Sequence, residues 1–284
     1  MSDRLIQQCI LQILEPVCEA KFHNHSFGFR PNRSTEHAKA TMDRMINLQH
    51  LHFVVDIDIR EFYDNVDHGK LLKQMWTIGI QDKQLLCIIS AMLKAEIEGI
   101  GIPNKGVPRC GLCSPLFSNV VLNELDWWIS DQWESFETSH PHSQNSSKLN
   151  ILRKASELKE CYIIRYADDL KVMCRTRDEA ERMFMAVKLW LKERLDLEIS
   201  PEKSKITNLR KKPSEFLGFS IKAVVKGIKR VANSRIKPKA IVKIIAKGLI
   251  KKIQKSPTTK NLEHKSLQFL CPWDPKLLSY SNTL

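Results

Sequence analysis

Residues 161–174 read CYIIRYADDLKVMC, two apolar runs on either side of an acidic pair. The spacing predicts a tight β-hairpin with strands at Cys161–Tyr166 and Leu170–Cys174, joined through Ala167-Asp168-Asp169. Acidic pairs are also ordinary turn residues, because Asp bonds readily to its own backbone. The apolar runs nevertheless indicate buried strands that carry two carboxylates at their tip.

A second acidic strand is predicted at residues 52–59, where the apolar pattern switches to period two. Alternation places Val54, Asp56 and Asp58 on one face of this strand. Phosphoryl transfer from a nucleoside triphosphate uses two divalent cations, which carboxylate oxygens on rigid elements hold well. We therefore predict that Asp58 and Asp168 lie on one side of a single sheet, close enough to share a metal ion.

Helical periodicity surrounds these strands, so an α+β fold is expected. Residues 138–148 are polar and rich in turn formers, which is typical of a mobile surface loop. A further strand is predicted at 216–221. Helices are predicted at 4–19 with an end near Pro16, from Ser34 or Thr35 to Leu48, at 68–94, at 115–133 and at 178–195.

The charge of the chain is strongly positive, with 45 Lys and Arg against 32 Asp and Glu, for a net charge of +13. Such a field attracts polyanions, and nucleic acid is the expected one, although a cationic surface can also serve solubility alone. Beyond residue 222 the chain is densely basic, and apolar spacing from Ile241 to Ile253 predicts a lysine-studded helix. No stretch reaches membrane-spanning length, so we expect a cytoplasmic protein without a membrane partner.

The cysteines do not form a metal-binding pattern. Eight are scattered along the chain, and only Cys110 and Cys113 form a CxxC, without a second pair or a nearby His pair. Reduced thiols are therefore expected rather than a zinc site or a disulfide framework.

Five motifs follow one another along the chain: GFRPNRS at 28–34, DIREFYD at 58–64, YADD at 166–169, PEKSK at 201–205 and FLGF at 216–219. In this order and spacing the chain resembles the reverse transcriptases encoded by group II introns. That family has an antiparallel palm sheet backed by helices. The resemblance implies fingers (partial) and palm at 1–222 and a basic helical start of the thumb at 223–284.

The resemblance also implies an activity. It would be an RNA-directed DNA polymerase that extends a DNA or RNA primer on an RNA template with deoxynucleoside triphosphates. Two Mg²⁺ ions, with Mn²⁺ as a possible substitute, would be its cofactors, and group II intron RNA would be a partner. The alternatives are an intron RNA-binding protein that does not polymerise and an inactive remnant of such an enzyme, because RNA binding needs only the basic surface.

The motifs also imply residue roles. Asp58, Asp168 and Asp169 match the metal-binding carboxylates, and Asp56 has the wrong spacing and is taken as a bystander. Tyr63 matches the steric gate that selects deoxynucleotides. Arg109 would belong to the nucleotide site, and Lys203 would act in catalysis near the triphosphate. The primer grip would be formed by Phe216, Leu217, Gly218 and Phe219. Arg30 and Arg33 would hold the template.

Several of these roles have a plain structural alternative. Lys203 could equally be a solvated surface lysine. The segment 216–219 could be a buried strand with a bulge glycine, a reading compatible with a primer grip. Arg30 or Arg33 could instead form an ion pair with Glu36.

The chain departs from the family pattern in one loop and at its ends. Where the family reads close to GVPQGGPLSP, residues 106–115 read GVPRCGLCSP, so Arg109 replaces a neutral Gln and Cys110 a Gly. Measured against the family, the chain starts after part of the fingers and stops early in the thumb. The expectation is a truncated, partly degenerate enzyme that polymerises poorly because it binds nucleotide weakly.

Overall fold

The computed structural model describes residues 2–96, 101–108, 111–138, 144–156, 160–226 and 229–236. By packing, the chain divides into one compact unit of Met1–Leu217 with Ile221–Asn233 and another of Gly218–Ser220 with Ser234–Leu284. The basic helix predicted from Ile241 to Ile253 lies outside the described residues. The division into fingers and palm at 1–222 and thumb at 223–284 stays a prediction.

The centre of the first unit is a four-stranded antiparallel sheet. Its strands are β1 (Phe53–Asp58), β2 (Cys161–Tyr166), β3 (Asp169–Cys174) and β4 (Lys205–Asn208). Their spatial order is β2-β3-β1-β4. The predicted hairpin is confirmed as β2 and β3, and the predicted acidic strand is confirmed as β1.

Helices cover this sheet. Helices α2 and α6 contact β2, whereas α8 contacts β1, β3 and β4. The α+β class predicted from the sequence is thus confirmed. The helices are α1 (Ser2–Glu19), α2 (Thr35–Leu48), α3 (Phe62–Asn65), α4 (His68–Thr77), α5 (Lys83–Leu93), α6 (Ser114–Asp131), α7 (Asn145–Ala155) and α8 (Arg177–Trp190), which continues as a π-helical turn at Leu191–Leu195.

Helix α6 is the buried helix of the core, and most of its side chains are shielded from solvent. Its apolar residues, such as Leu122 and Leu125, are accompanied by buried polar residues, including Asn119 and Asp126. Buried polar groups require hydrogen-bond partners, so these two residues signal a polar network inside the palm.

Two helix predictions need correction. The first helix does not end near Pro16: α1 continues to Glu19, and the Pro16 carbonyl accepts a hydrogen bond from Ala20 N. The helix predicted at 68–94 is two helices, α4 and α5. Gly79 adopts φ +111 between them, and Asp82 caps α5 by accepting from Gln84 N.

The predicted loop at 138–148 also needs correction, because Asn145 begins α7 and residues 139–143 lie outside the described part of the chain. The predicted strand at 216–221 is interrupted by a turn. Leu217 (φ 50) and Gly218 (φ 85) both have positive φ, the pattern of a two-residue hairpin turn.

A second, three-stranded sheet contains this turn. Its strands are β5 (Ser214–Phe216), β6 (Phe219–Lys226) and β7 (Lys229–Ile236), in that spatial order. Residues 223–226 and 229–236, which the sequence analysis assigned to a basic helical segment, are therefore strand.

Two predictions concern the environment of the chain. Within the described ranges, no helix has both the length and the apolar character needed to cross a membrane. A cytoplasmic location stays a prediction. The cysteines that the structure describes, among them Cys113, are free thiols.

Candidate active site

The acidic residues of the two predicted strands meet at one edge of the central sheet. In the antiparallel register Asp58, the last residue of β1, is directly opposite Asp169, the first residue of β3. Directly opposed residues point to the same face, so these carboxylates share one side of the sheet. Asp168 precedes Asp169 in the turn, where Ala167 adopts φ 58. Asp168 lies outside the paired register, and the closeness of its carboxylate to that of Asp58 stays a prediction.

The carboxylates are half-exposed and electrostatically crowded. The side chains of Asp58 and Asp169 are 41% and 43% exposed. Burial of the carboxyl group raises the pKa of Asp169 to about 6; Lys171 opposes this rise, and the charges of Asp56, Asp168 and Asp58 add to it. Carboxylate oxygens are hard donors, the type of ligand that a divalent cation such as Mg²⁺ prefers.

Two lysines approach the carboxylate edge. Lys203 Nζ lies 3.4 Å from Asp58 Oδ2, and its side chain is 70% exposed. Lys171 Nζ lies 3.9 Å from Asp169 Oδ1 and also donates a hydrogen bond to Asp56 Oδ1. Lys203 is thus a surface lysine, as one sequence interpretation held, and it is at the same time part of the acidic site.

A buried arginine, Arg165, donates a hydrogen bond to the acidic turn between β2 and β3. Arg165, on β2, forms a bidentate ion pair with Asp126 of α6, with distances of 2.7 to 3.0 Å. It also donates to Asn119 Oδ1 (2.9 Å), to Ser26 Oγ (2.8 Å) and to the carbonyl of Ala167 (2.9 Å) inside the turn. The position of the turn is therefore coupled to helix α6 and to the loop that precedes α2.

The loop before α2 is hydrogen-bonded along β2 through the backbone of His25 and Phe27. Phe27 N donates to the Arg165 carbonyl (2.8 Å), and Arg165 N donates to the His25 carbonyl (2.9 Å). Gly28 lies so close to the turn that an added Cβ would be 2.2 Å from Ala167 N. Only glycine permits this approach of two backbones.

Tyr63 lies on the short helix α3, which follows β1. The residue before this helix, Glu61, has a left-handed conformation (φ 44). The Tyr63 ring packs edge-on against Phe62, with centroids 5.4 Å apart. The Tyr63 carbonyl accepts a hydrogen bond from Val107 N at 2.7 Å, so the start of the 106–115 loop is held next to Tyr63. Arg109 and Cys110, further along this loop, lie outside the described residues.

A separate cluster of possible metal ligands lies near the end of α6. Ligand atoms of His23, His25 and Glu134 are all within 4.8 Å of one another, the one such group found in the described part of the chain. However, His23 Nδ1 accepts a hydrogen bond from His25 N at 3.2 Å, whereas a metal-bound imidazole carries a proton on its other nitrogen. We interpret this cluster as a partly buried polar contact between His25 Nδ1 and Glu134 Oε2, 3.4 Å apart.

The family is decided by a comparison with protein-family models. The model for reverse transcriptase (RNA-dependent DNA polymerase) matches residues 1–221. The chain belongs to this reverse transcriptase family. Its curated relatives include proteins encoded by group II introns, the proteins that the motifs resemble.

One such relative is the group II intron-encoded protein LtrA of Lactococcus lactis subsp. cremoris, 28% identical over 261 residues, which cover 78% of this chain and 43% of LtrA. Another is protein YkfC of Escherichia coli K12, 28% identical over 222 residues, which cover 74% of this chain and 58% of YkfC. The chain thus spans about half the length of these relatives. Among solved structures, apo telomerase from Candida tropicalis, truncated from its C-terminal domain, has a TM-score of 0.52 at 13% identity over 81% of this chain and 45% of that one. This likeness shows a shared reverse transcriptase fold.

The segment 216–219, which the sequence analysis predicted to be a primer grip, begins at a buried aromatic residue. Phe216 is 1% exposed, and its ring centre lies 5.1 Å from Lys171 Nζ. Leu217 and Gly218 form the hairpin turn, and Phe219 begins β6. The interpretation of 216–219 as a plain strand with a bulge glycine is therefore wrong, because the glycine is in the turn itself.

The two arginines of the GFRPNRS motif are not equivalent. Arg30 is buried and pairs with Glu19 through Nε and Nη2, at 2.8 to 3.0 Å, while its Nη1 donates to the His23 and Ser26 carbonyls. Its guanidinium is occupied inside the protein, so the prediction that Arg30 contacts the template needs correction. The suggested Glu36 partner is replaced by Glu19. Arg33 is partly exposed, donates to the Asn24 carbonyl and lies over the Phe27 ring.

Sequence reasoning missed the residues behind the catalytic edge: Arg165, Asp126, Asn119 and Lys171. The available signal was a charged or amide side chain within an otherwise apolar run, as at Lys171 between Leu170 and Val172. A buried charge in such a run requires a partner, but the sequence does not name that partner.

Proposed function

We propose that this chain carries the catalytic palm of an RNA-directed DNA polymerase of the group II intron type. It would add deoxynucleotides to the 3′-hydroxyl of a DNA or RNA primer on an RNA template and release pyrophosphate. The observation that carries the proposal is the register of β1 and β3, which brings Asp58 opposite Asp169 next to Asp168. Carboxylates from two strands converge there, as two-metal phosphoryl transfer requires.

Members of this family are in general metal-dependent, and we propose two Mg²⁺ ions, replaceable by Mn²⁺, as the cofactors. Asp58, Asp168 and Asp169 would hold them. When bound, such ions lower the pKa of the primer hydroxyl and neutralise charge on the phosphates. The half-exposed Asp58 and Asp169 side chains are accessible for this role.

The remaining roles belong to the surrounding side chains. Tyr63, from its position in the motif, would exclude the 2′-hydroxyl of a ribonucleotide. Lys203, ion-paired with Asp58, has an exposed ammonium that could contact the triphosphate and donate a proton to the leaving pyrophosphate. We propose the turn at 216–219 as the primer grip and Arg33 as a template contact. Arg109 is proposed from the motif alone to contact the incoming nucleotide.

The net charge of +13 supports binding of RNA, including structured intron RNA, independently of synthesis. An RNA-binding protein without polymerase activity is therefore the second candidate. The two differ in one requirement, since synthesis needs the carboxylates and binding does not.

The experiment is primer extension on poly(rA)/oligo(dT) with Mg²⁺, run beside filter binding of RNA. We expect Asp168→Asn to abolish extension while RNA affinity is retained and still falls steeply with salt. Asp178→Asn is the matched control, because Asp178 is an exposed carboxylate, at the start of α8, paired with Arg182 at 3.1 Å. It should leave both activities unchanged.

Three results would change the proposal. Extension that survives Asp168→Asn would refute the carboxylate site. Loss of RNA binding in proportion to synthesis, in a folded variant, would refute the separation of binding from catalysis. RNA binding without any extension by the unaltered chain would favour the second candidate.

A further inference from the structure

The carboxylate edge is followed by a second, buried pair on the same face of the sheet. Residues two apart on a strand share a face, so Asp56 lies behind Asp58 and Lys171 lies behind Asp169. Asp56 and Lys171 are themselves directly opposite in the register of β1 and β3. The site therefore has two cross-strand pairs. The outer pair is Asp58 and Asp169, both carboxylates, and the inner pair is Asp56 and Lys171, which have opposite charges.

The inner pair is shielded from solvent and well bonded. Lys171 is 2% exposed, and its ammonium donates to Asp56 Oδ1. Asp56 also accepts from Ser214 Oγ at 3.1 Å and from Thr207 Oγ1 at 3.3 Å. With these donors satisfied inside the protein, Asp56 is not available as a metal ligand, but it is not a bystander either.

Lys171 has two carboxylates within reach, and they have different tasks. Its Nζ is hydrogen-bonded to Asp56 and 3.9 Å from Asp169 Oδ1. A buried ammonium requires a carboxylate partner, because burying an unpaired charge is costly. If Asp56 lost its charge, Asp169 would be the carboxylate left for the Lys171 ammonium to pair with. An ammonium bound to Asp169 competes with a divalent cation for the same carboxylate oxygens.

We propose that Asp56 is a positioning residue that retains the Lys171 ammonium and thereby keeps Asp169 open to a divalent cation. The inference rests on the proposed function in one respect, that Asp169 is a metal ligand. It gives the charge balance of the inner pair a purpose: Lys171 is held where it offsets the repulsion among the four carboxylates without neutralising Asp169.

The test measures Mn²⁺ binding to the whole chain, without nucleotide or RNA, from the free Mn²⁺ signal in electron paramagnetic resonance. Asp58→Asn is measured first. The Mn²⁺ binding that this substitution weakens defines the site. We expect Asp56→Asn to weaken the same site about tenfold, the effect of one charge-assisted contact. The double variant Asp56→Asn with Lys171→Met has no competing ammonium and should bind Mn²⁺ to within about threefold of the unaltered chain.

Lys171→Met alone gives an independent arm, because it removes the competing ammonium while Ser214 and Thr207 still donate to Asp56. Its Mn²⁺ affinity should equal or exceed that of the unaltered chain. Glu160→Gln is the matched control: Glu160 is also a buried carboxylate, paired with Arg153 and Arg175. It should lower the melting temperature without changing Mn²⁺ affinity.

The outcomes separate this inference from the proposed function. Unchanged Mn²⁺ affinity in Asp56→Asn, a double variant as weak as the single one, or the lack of an Asp58-dependent Mn²⁺ site would overturn the inference. Primer extension is recorded in parallel. A chain that shows the expected Mn²⁺ pattern but never extends a primer would refute the polymerase and leave the role of Asp56 intact.

Discussion

Gly28 offers a sharp test of how the catalytic turn is held in place. A Cβ at this position would lie 2.2 Å from Ala167 N, 2.9 Å from Tyr166 C and 3.0 Å from Ala167 Cα. All three are backbone atoms, so no side-chain rotation relieves the clash. In Gly28→Ala either the loop or the turn with Asp168 must move by about 1 Å to restore ordinary contact.

Two effects should follow, with different magnitudes. Overpacking of this kind costs roughly 1 to 3 kcal/mol of folding free energy. A displacement of about 1 Å at a catalytic group costs on the order of a hundredfold in rate. We therefore expect Gly28→Ala to remain folded, with a lower melting temperature, and to extend primers about a hundredfold more slowly than the unaltered chain.

The assays are single-nucleotide extension and thermal unfolding. Gly69→Ala is the control, since a Cβ there meets only the Asp67 side chain, at 3.3 Å, and position 69 lies within α4. It should keep both activity and stability. Unaltered extension by Gly28→Ala would refute the close packing of loop and turn.

Three further predictions concern neighbouring residues. Arg165→Met leaves Asp126 buried without its partner and should lower the free energy of unfolding by roughly 3 to 5 kcal/mol, measured by urea denaturation. Tyr63→Ala should raise ribonucleotide incorporation relative to deoxynucleotide by roughly tenfold to a hundredfold in a competition assay. The pKa of Asp169 rises from 3.8 to about 6 on folding. Below pH 3.8 the protonated carboxyl makes its full contribution to the stability of the fold, and this stability is lost as the pH rises through about 6. Without metal, Asp169→Asn should therefore stabilise the protein near pH 8 by about 1 kcal/mol, after allowance for solvent screening of a half-exposed group, and by almost nothing near pH 4.

Local patterns in the sequence were sufficient for the elements that form the site. Period-two alternation located β1 and the hairpin of β2 and β3, and Ser34 marked the start of α2, where its side chain accepts from His37 N. These features depend on residues a few positions apart, so the sequence contains them directly. The prediction missed the continuation of α1 through Pro16, where tertiary structure overrode the local preference of proline. It also missed the break at Gly79, although this glycine and the Asp82 cap are local signals of a helix end and a helix start.

What the sequence by itself determined is the fold class, the family and the acidic residues of the candidate site. Only the tertiary structure decided which residues are partners: Asp169 rather than Asp168 opposite Asp58, Glu19 on Arg30, and Lys171 on Asp56. Asp56 and Lys171 are separated by 115 positions. Their contact follows from the register of two strands, and a shift of one residue would turn each side chain to the other face. The sequence shows which charged residues are present. The register of β1 and β3 decides which of them pair with one another, as Asp56 and Lys171 do.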